Sequence, residues 1–371
     1  PHYTLKDLAD LDERVEAHID GLRVAGAAGW ETCAAALEAD EPGEVFAAAV
    51  LAFESQDGER IARVVQRGMS SKENQRALVS ALGWIDFEHL RPLAETMMNA
   101  NAAAYRQLGL AAAAIHRVDP GPALDRALDD EDPGVRDRAI RAVGQLRRRD
   151  LAPALRRHFQ SDDGEARFWS AWSGTLLGDR DAGKMLVEHV NFPTPFRRAA
   201  LDLVLRELDC RAAGNWLKGL MQDPGNLRLV IEGTGIGGDP AYVPHLLRQM
   251  SVPEVARIAG EAFSMITGVD LAYDDLEGDW PEGFEAGPTE QPEDEDVAMD
   301  PDEDLPWPAP ELVEGWWQQN KDRFQPGVRF LCGGPITVDN CTRILREGFQ
   351  RQRHAAAMEL ALLAPDQPLF E

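Results

Sequence analysis

An arginine returns about every thirty residues through the middle of this chain. Arg76, Arg106, Arg136, Arg167, Arg197, Arg228 and Arg257 are separated by 30, 30, 31, 30, 31 and 29 positions. Two apolar columns keep the same beat: Ile85, Ile115, Leu146, Leu177, Leu208, Ile236 and Ile266, and then Leu93, Leu124, Leu155, Leu186, Leu217 and Leu246. Three columns in one register describe a unit that cannot hide its apolar face alone and must lean on the next copy.

Each period fits a pair of helices. A short one, such as 151–160, is followed by a turn of Asp, Gly, Pro or Ser. Asp130-Glu131-Asp132-Pro133-Gly134 and Ser161-Asp162-Asp163-Gly164 are examples. These are capping and first-turn residues, with Pro preset for a helix start. A longer helix with Ala, Leu, Val and Trp at helical spacing comes next. Pro92, Pro122, Pro153 and Pro244 recur near the start of the short helix, where a missing N–H costs nothing. No run with strand alternation competes. The helix over 227–237 carries Gly233, Gly235 and Gly237, so it is expected to be short, kinked or frayed.

The stretch 130–146 (Val135-Arg136, then Ala139, Ala142, Gly144 and Leu146) resembles HEAT repeats, specifically the short class of about 30 residues first associated with bilin lyases. The resemblance covers roughly 41–273 and implies an all-α fold, an α-solenoid of HEAT-like helix pairs. Residues 1–40, with Leu8, Leu11, Val15, Ile19 and Leu22 at helical steps, are expected to be an N-terminal helical cap.

Composition then breaks. The chain has 371 residues, 38 Lys and Arg against 64 Asp and Glu, and a formal charge of −26. From Ile258 to Asn320 there is no Lys or Arg, and Asp274 to Asp304 holds 15 acidic residues. Residues 274–310 therefore read as an acidic, Pro-rich linker or insert, punctuated by Trp280, Phe284 and Trp307. Residues 311–371 read as a helical cap or modified repeat, with helices at 339–347 and 351–363 either side of Gly348. The Trp316-Trp317 pair and the Arg323-Phe324 to Gly327-x-Arg329 segment after the insert are similar to an uncharacterised proteobacterial HEAT-repeat family whose members accompany type VI secretion components. That resemblance implies a secretion-apparatus component or effector as partner.

Several function classes are excluded or weakened. A chain this acidic is a poor general nucleic-acid binder, because phosphate affinity comes from Lys and Arg. No apolar run approaches 18 residues, which argues against a helical membrane span. Cys33, Cys210, Cys332 and Cys341 make neither a disulfide framework nor a zinc knuckle, and a reducing cytoplasm suits them. The chain begins at Pro1 without a Met, which is compatible with a piece of a longer protein. Glu88-His89 and Glu188-His189 reverse the His-Glu order of helical-repeat hydroxylases. Gly233-Thr234-Gly235-Ile236-Gly237-Gly238 lacks the ending and the preceding strand of a phosphate loop. No catalytic residue, cofactor or metal site is expected.

What remains is binding. The arginine column is read as a structural ladder, with a row lining a groove for an acidic ligand as the sharper alternative. Arg136 to His158 carries eight Arg and two Asp, a local +6. This island suits docking of an acidic partner or of the chain's own 274–304 segment. The partner-binding candidates are Arg141, Arg147, Arg148, Arg149, Arg156 and Arg157, together with Trp316 and Trp317. In a simple helix one of the two adjacent Trp must point outward. The expected function is a cytoplasmic protein-interaction scaffold or adaptor; the alternative is a HEAT-fold enzyme or nucleic-acid processing module.

Overall fold

The structure, a computed structural model, describes residues 3–287 and 299–369. Its fold class is all-α, with helix pairs packed neighbour on neighbour in the manner of a solenoid. The described chain divides into two compact units. One is Asp7–Met185 with Asp366–Leu369; the other is Leu186–Pro365 with residues 3–6.

The first unit holds α1 (Leu5–Ala25, from Asp7 on), α2 (Ala27–Ala36), α3 (Pro42–Ser55), α4 (Gly58–Gly68), α5 (Lys72–Trp84), α6 (Phe87–Met98), α7 (Ala103–Ile115), α8 (Pro122–Ala127), α9 (Pro133–Gln145), α10 (Ala152–Leu155) and α11 (Gly164–Leu176). The longer members stack in sequence, α3 on α5, α5 on α7, α7 on α9 and α9 on α11, and the shorter ones flank them. The boundary falls inside α12 (Arg180–Asn191) and is followed by the two prolines of the Pro193-Thr194-Pro195 segment. In the second unit α13 (Arg197–Glu207), α15 (Leu227–Gly237) and α17 (Pro253–Thr267) stack in turn, flanked by α14 (Cys210–Leu220) and α16 (Val243–Gln249).

Turn chemistry sets these ends. Asp57, Ser71, Asp86, Asp132, Asp163 and Asp209 each accept a hydrogen bond from a first-turn N–H of the helix that follows. Pro122, Pro153 and Pro244 sit in the first turn of α8, α10 and α16, as expected. Pro92 does not: it lies inside α6, five residues after Phe87. At the far end of the longer helices the chain adopts a left-handed residue in the same register: Arg117, Arg147, Gly178, Gly238 and Gly268, with φ of 58°, 59°, 86°, 69° and 76°. After α7, α9 and α11 the next amide then reaches back to close the helix, Val118 to Ala113, Arg148 to Val143 and Asp179 to Gly174.

The Gly-rich helix α15 is short but well packed. A Cβ at Gly235 would lie 3.0 Å from the Ala262 backbone of α17, so the glycine lets two helices approach closely.

The C-terminal region does not simply add another repeat. Helix α18 (Pro310–Asn320) lies on α16, burying Val313 and Trp317. A two-residue antiparallel pair follows, β1 (Phe330–Leu331) with β2 (Gly334–Pro335). This strap runs across the ends of α15 and α17: Phe330 N–H donates to Gly238 O (2.8 Å), Cys332 N–H to Met265 O (2.7 Å) and Gly333 N–H to Ile266 O (3.1 Å). Carbonyls that a helix end leaves without partners are thereby satisfied. Helices α19 (Val338–Glu347) and α20 (Gln350–Leu363) form a hairpin close to the expected bounds, and α20 packs on α13.

Candidate interaction surface

Six of the seven ladder arginines are used inside the fold. Arg106 grips Asp130 through Nε and Nη2, both at 2.8 Å, and donates to Asn101 O at 2.6 Å. That fork holds the Asp130 carboxyl below its usual range. Arg136 donates to Asp130 O (3.1 Å) and meets Asp163 at 3.5 Å, and Arg167 donates to Ser161 O (2.8 Å). Arg197 donates to Val190 O (2.7 Å) and to Asn226 Oδ1 (2.6 Å). The repeated act is the same: a planar fork ties the turn before its own helix and, where it reaches, an acceptor from the next repeat. Arg76 is the exception, being exposed, and Asn74 takes the equivalent place by donating to Asp40 Oδ1 at 3.0 Å.

The last two rungs are taken over by the acidic insert. Arg228 holds both oxygens of Asp302, at 2.8 and 2.5 Å. Arg257 pairs with Asp300 at 2.7 Å, donates to Asp302 O at 2.9 Å, and lies 5.0 and 5.1 Å from the rings of Trp280 and Trp307. Phe284 completes that aromatic group, 5.8 and 5.3 Å from the same two rings. The described parts of the insert thus pair with Arg228 and Arg257 of their own unit. Residues 288–298 lie outside the described residues.

The island itself is largely compensated. Arg148 bonds Asp150, Asp119 and Asp125 at 2.7 to 3.0 Å. Arg156 meets Asp179 at 2.8 Å, Arg157 meets Asp129 at 3.1 Å and Arg149 meets Asp366 at 3.6 Å. Arg141 stacks 4.4 Å over Trp169. Arg147 cannot be a docking residue: it is buried, donates to the carbonyls of Leu176 and Gln367, and burial beside Arg149 pushes it down to about 10. Only Arg149, Arg156 and Arg157 of the named six are exposed.

Trp316 and Trp317 also require correction. Trp317 is buried, Trp316 half-buried, and both rings meet Phe263 edge-on at 5.7 and 6.4 Å. Phe324 lies 6.5 and 5.4 Å from the same two rings. Aromatic neighbours on both sides of α18 remove the need for one Trp to face outward. Trp317 is a core residue, and Trp316 packs against the same cluster with part of its ring still exposed.

Two features escaped the sequence reading. Asp137 follows the Arg136 rung and is buried, with Oδ1 lacking any hydrogen-bond partner. Burial, with Asp163 and Glu165 nearby, pushes its carboxyl up to about 7. The other is an open groove of about 830 Å³ between α1 and the ends of α3 and α5. Six carboxylates border it (Asp12, Glu13, Glu16, Asp20, Glu54 and Asp86) against one cation, Arg23. Arg23 is already committed to Glu54 (2.9 and 2.7 Å), Glu16 (2.6 Å) and Asp20 (2.6 Å). Trp84 Nε1 donates to Glu16 at 2.6 Å, and the Arg23 and Trp84 bonds hold the Glu16 carboxyl below its usual range. The only advance signal was the acidic flank of the Leu8–Leu22 helical row.

The four cysteines are free thiols. Among the described residues no cluster of His, Cys, Asp and Glu could hold a metal ion, and no helix is long and apolar enough to cross a membrane.

The comparison with known families agrees with the stacking. Residues 121–206 match the model for HEAT repeats, which covers α8 to α13. No curated protein matches the chain.

Proposed function

We propose that this chain is a protein-binding scaffold that works by surface shape and charge, without catalysing a reaction. The observation that carries the reading is the neighbour-on-neighbour stacking of helix pairs, matched by HEAT repeats over 121–206. HEAT repeats commonly serve as protein-interaction scaffolds, because stacked hairpins present an extended, rigid face. The use of the ladder arginines supports the same reading. Their charge is spent on internal carbonyls and carboxylates, so the row is structural and the outward faces are left to partners.

Its place is a reducing cytoplasm, which suits four free thiols. The resemblance of the acidic insert and the segment around Trp316 to the proteobacterial family extends the proposal to a secretion-apparatus component or effector as partner. Affinity purification of the full chain from its native cells, with cross-linking before lysis, tests this. A polypeptide recovered at near-equal amount and cross-linked to exposed helix faces supports it. A bound metabolite with no protein partner contradicts it.

A further inference from the structure

Helix α20 closes at Leu363 in the second unit, yet residues 366–369 are part of the first. They form a short non-helical segment across the C-terminal ends of α9 and α11. Leu369 N–H donates at 2.9 Å to the carbonyl of Gln145, the last residue of α9. Arg147, just past that end, donates through Nε to Gln367 O at 3.2 Å and also to Leu176 O, where α11 stops. Arg149 meets Asp366 at 3.6 Å. The side chains are treated unequally. Leu369 is 4% exposed, whereas Asp366 and Gln367 are exposed and Pro368 is half-buried. One leucine is the anchor, and the rest of the segment lies on the surface.

A helix leaves its last carbonyls without partners, and a passing main-chain N–H satisfies one of them. The β1–β2 strap does this in the second unit, but it runs on into α19 and is pinned by Arg329 on Glu359. The segment 366–369 has less to hold it. Its ion pair joins side chains that are 51% and 85% exposed, where water screens the attraction. A weak contact of this kind stays closed because the tether supplies a local concentration on the order of 1 mM. We propose that the ends of α9 and α11 form a site for a short acidic peptide of a partner protein. The peptide carries Asp or Glu three residues before a Leu, and this chain's own Asp366–Leu369 fills the site in cis until displaced. The partner's acid meets Arg149, its Leu takes the covered place of Leu369, and its main chain takes over the bonds to Gln145 O and Arg147. Arg147 is unavailable to any partner while the chain's own segment is seated. This site deepens the scaffold reading and rests on it.

The test uses the full chain and a peptide with the sequence of residues 364–371, carrying photo-leucine in place of Leu369. Cross-links are located and their yield measured by mass spectrometry. The wild-type chain is expected to label weakly, because its own segment competes. Leu369→Asp removes that anchor, and the yield at the ends of α9 and α11 should rise at least about tenfold. Asp366→Arg changes an exposed side chain and sets like charge against Arg149, so the yield should rise about twofold or more. Asp366→Lys in the peptide should lower labelling of the Leu369→Asp chain, a difference that added salt removes. Wild-type yields in both chain variants, or cross-links away from α9 and α11, overturn the site. Should Leu369→Asp lose its far-ultraviolet helix signal, Asp366→Arg decides alone, and no rise there overturns the site. If the site fails while the purified chain still carries a stoichiometric protein partner, the scaffold reading stands without it. If both fail, the scaffold reading fails too.

Discussion

Arg206 and Glu359 are 153 positions apart and meet at 2.7 Å, each with about 2% of its side chain exposed. Asp202 takes the other side of Arg206 at 2.8 Å, and Arg329 donates to Glu359 and, at 2.9 Å, to Arg206 O. This group of four, buried at Arg206 and Glu359, ties α20 and the strap to the end of α13. A buried pair is weak as a source of net stability, but breaking it leaves a charge uncompensated. Glu359→Ala should therefore cost about 3–5 kcal/mol and expose the amides of α20 to hydrogen exchange. Arg351→Ala, on the same helix and 3.9 Å from Glu261, should cost under about 1 kcal/mol. Similar exchange in the two variants would show that the cluster does not hold α20.

The strap has its own control. A Cβ on Gly238 would lie 2.4 Å from Phe330 O, and one on Gly268 would lie 2.7 Å from the Cys332 backbone, both at positive φ. Gly178 has a positive φ too, with nothing within 4 Å. Gly178→Ala should cost only the left-handed strain, about 1 kcal/mol. Gly238→Ala should cost clearly more and raise exchange at Phe330 and Cys332. Equal costs in urea unfolding would mean that strap contact adds nothing there.

Asp137 makes stability depend on pH in an unusual direction. Its folded carboxyl titrates at about 7, above the ordinary value near 3.9 for an unfolded chain. Between those values the folded state holds a proton that the unfolded state has released. Stability from this site therefore falls as pH rises from about 4 to about 7 and is level above that. Asp137→Asn removes the dependence. The variant's advantage over wild type in thermal melting should widen between pH 5 and pH 7, reaching about 1–3 kcal/mol. A constant or shrinking difference would contradict the buried, unpartnered carboxylate.

Arg257 holds the insert by both charge and stacking. Arg257→Lys keeps the charge but loses the planar fork between Trp280 and Trp307. It should increase proteolysis between Asp274 and Asp304 and alter Trp fluorescence, with little change in the first unit. Unchanged cleavage would show that Arg257 does not anchor the insert.

The repeat and its helix pairs were legible because the same residues recur at the same step, and a local pattern leaves a local trace. The Arg106–Asp130 pair leaves a local trace, since Arg106 stands in the first turn of α7 and Asp130 in the turn before α9. The capture of Arg228 by Asp302 leaves none, since 74 positions separate them and the insert carries no period. Trp317 was misread because a lone helix does not show what covers its rings, and this one is buried. Phe263 and Phe324, from other segments, close both sides. Arg147 looked like part of a charged face, yet it is buried at a left-handed position and donates to Leu176 O at the end of α11 and to Gln367 O of the C-terminal tail. The α1 groove stayed hidden because its carboxylates come from α1, α3 and the end of α5, each unremarkable in its own stretch.

Native mass spectrometry of the full chain isolated from its own cells tests the central claim, that these stacked helix pairs exist to hold another protein. The account predicts one dominant species, the chain plus a second polypeptide in fixed ratio, dissociating as salt is raised. A chain found alone, or carrying only a small molecule that it converts to product, would contradict it.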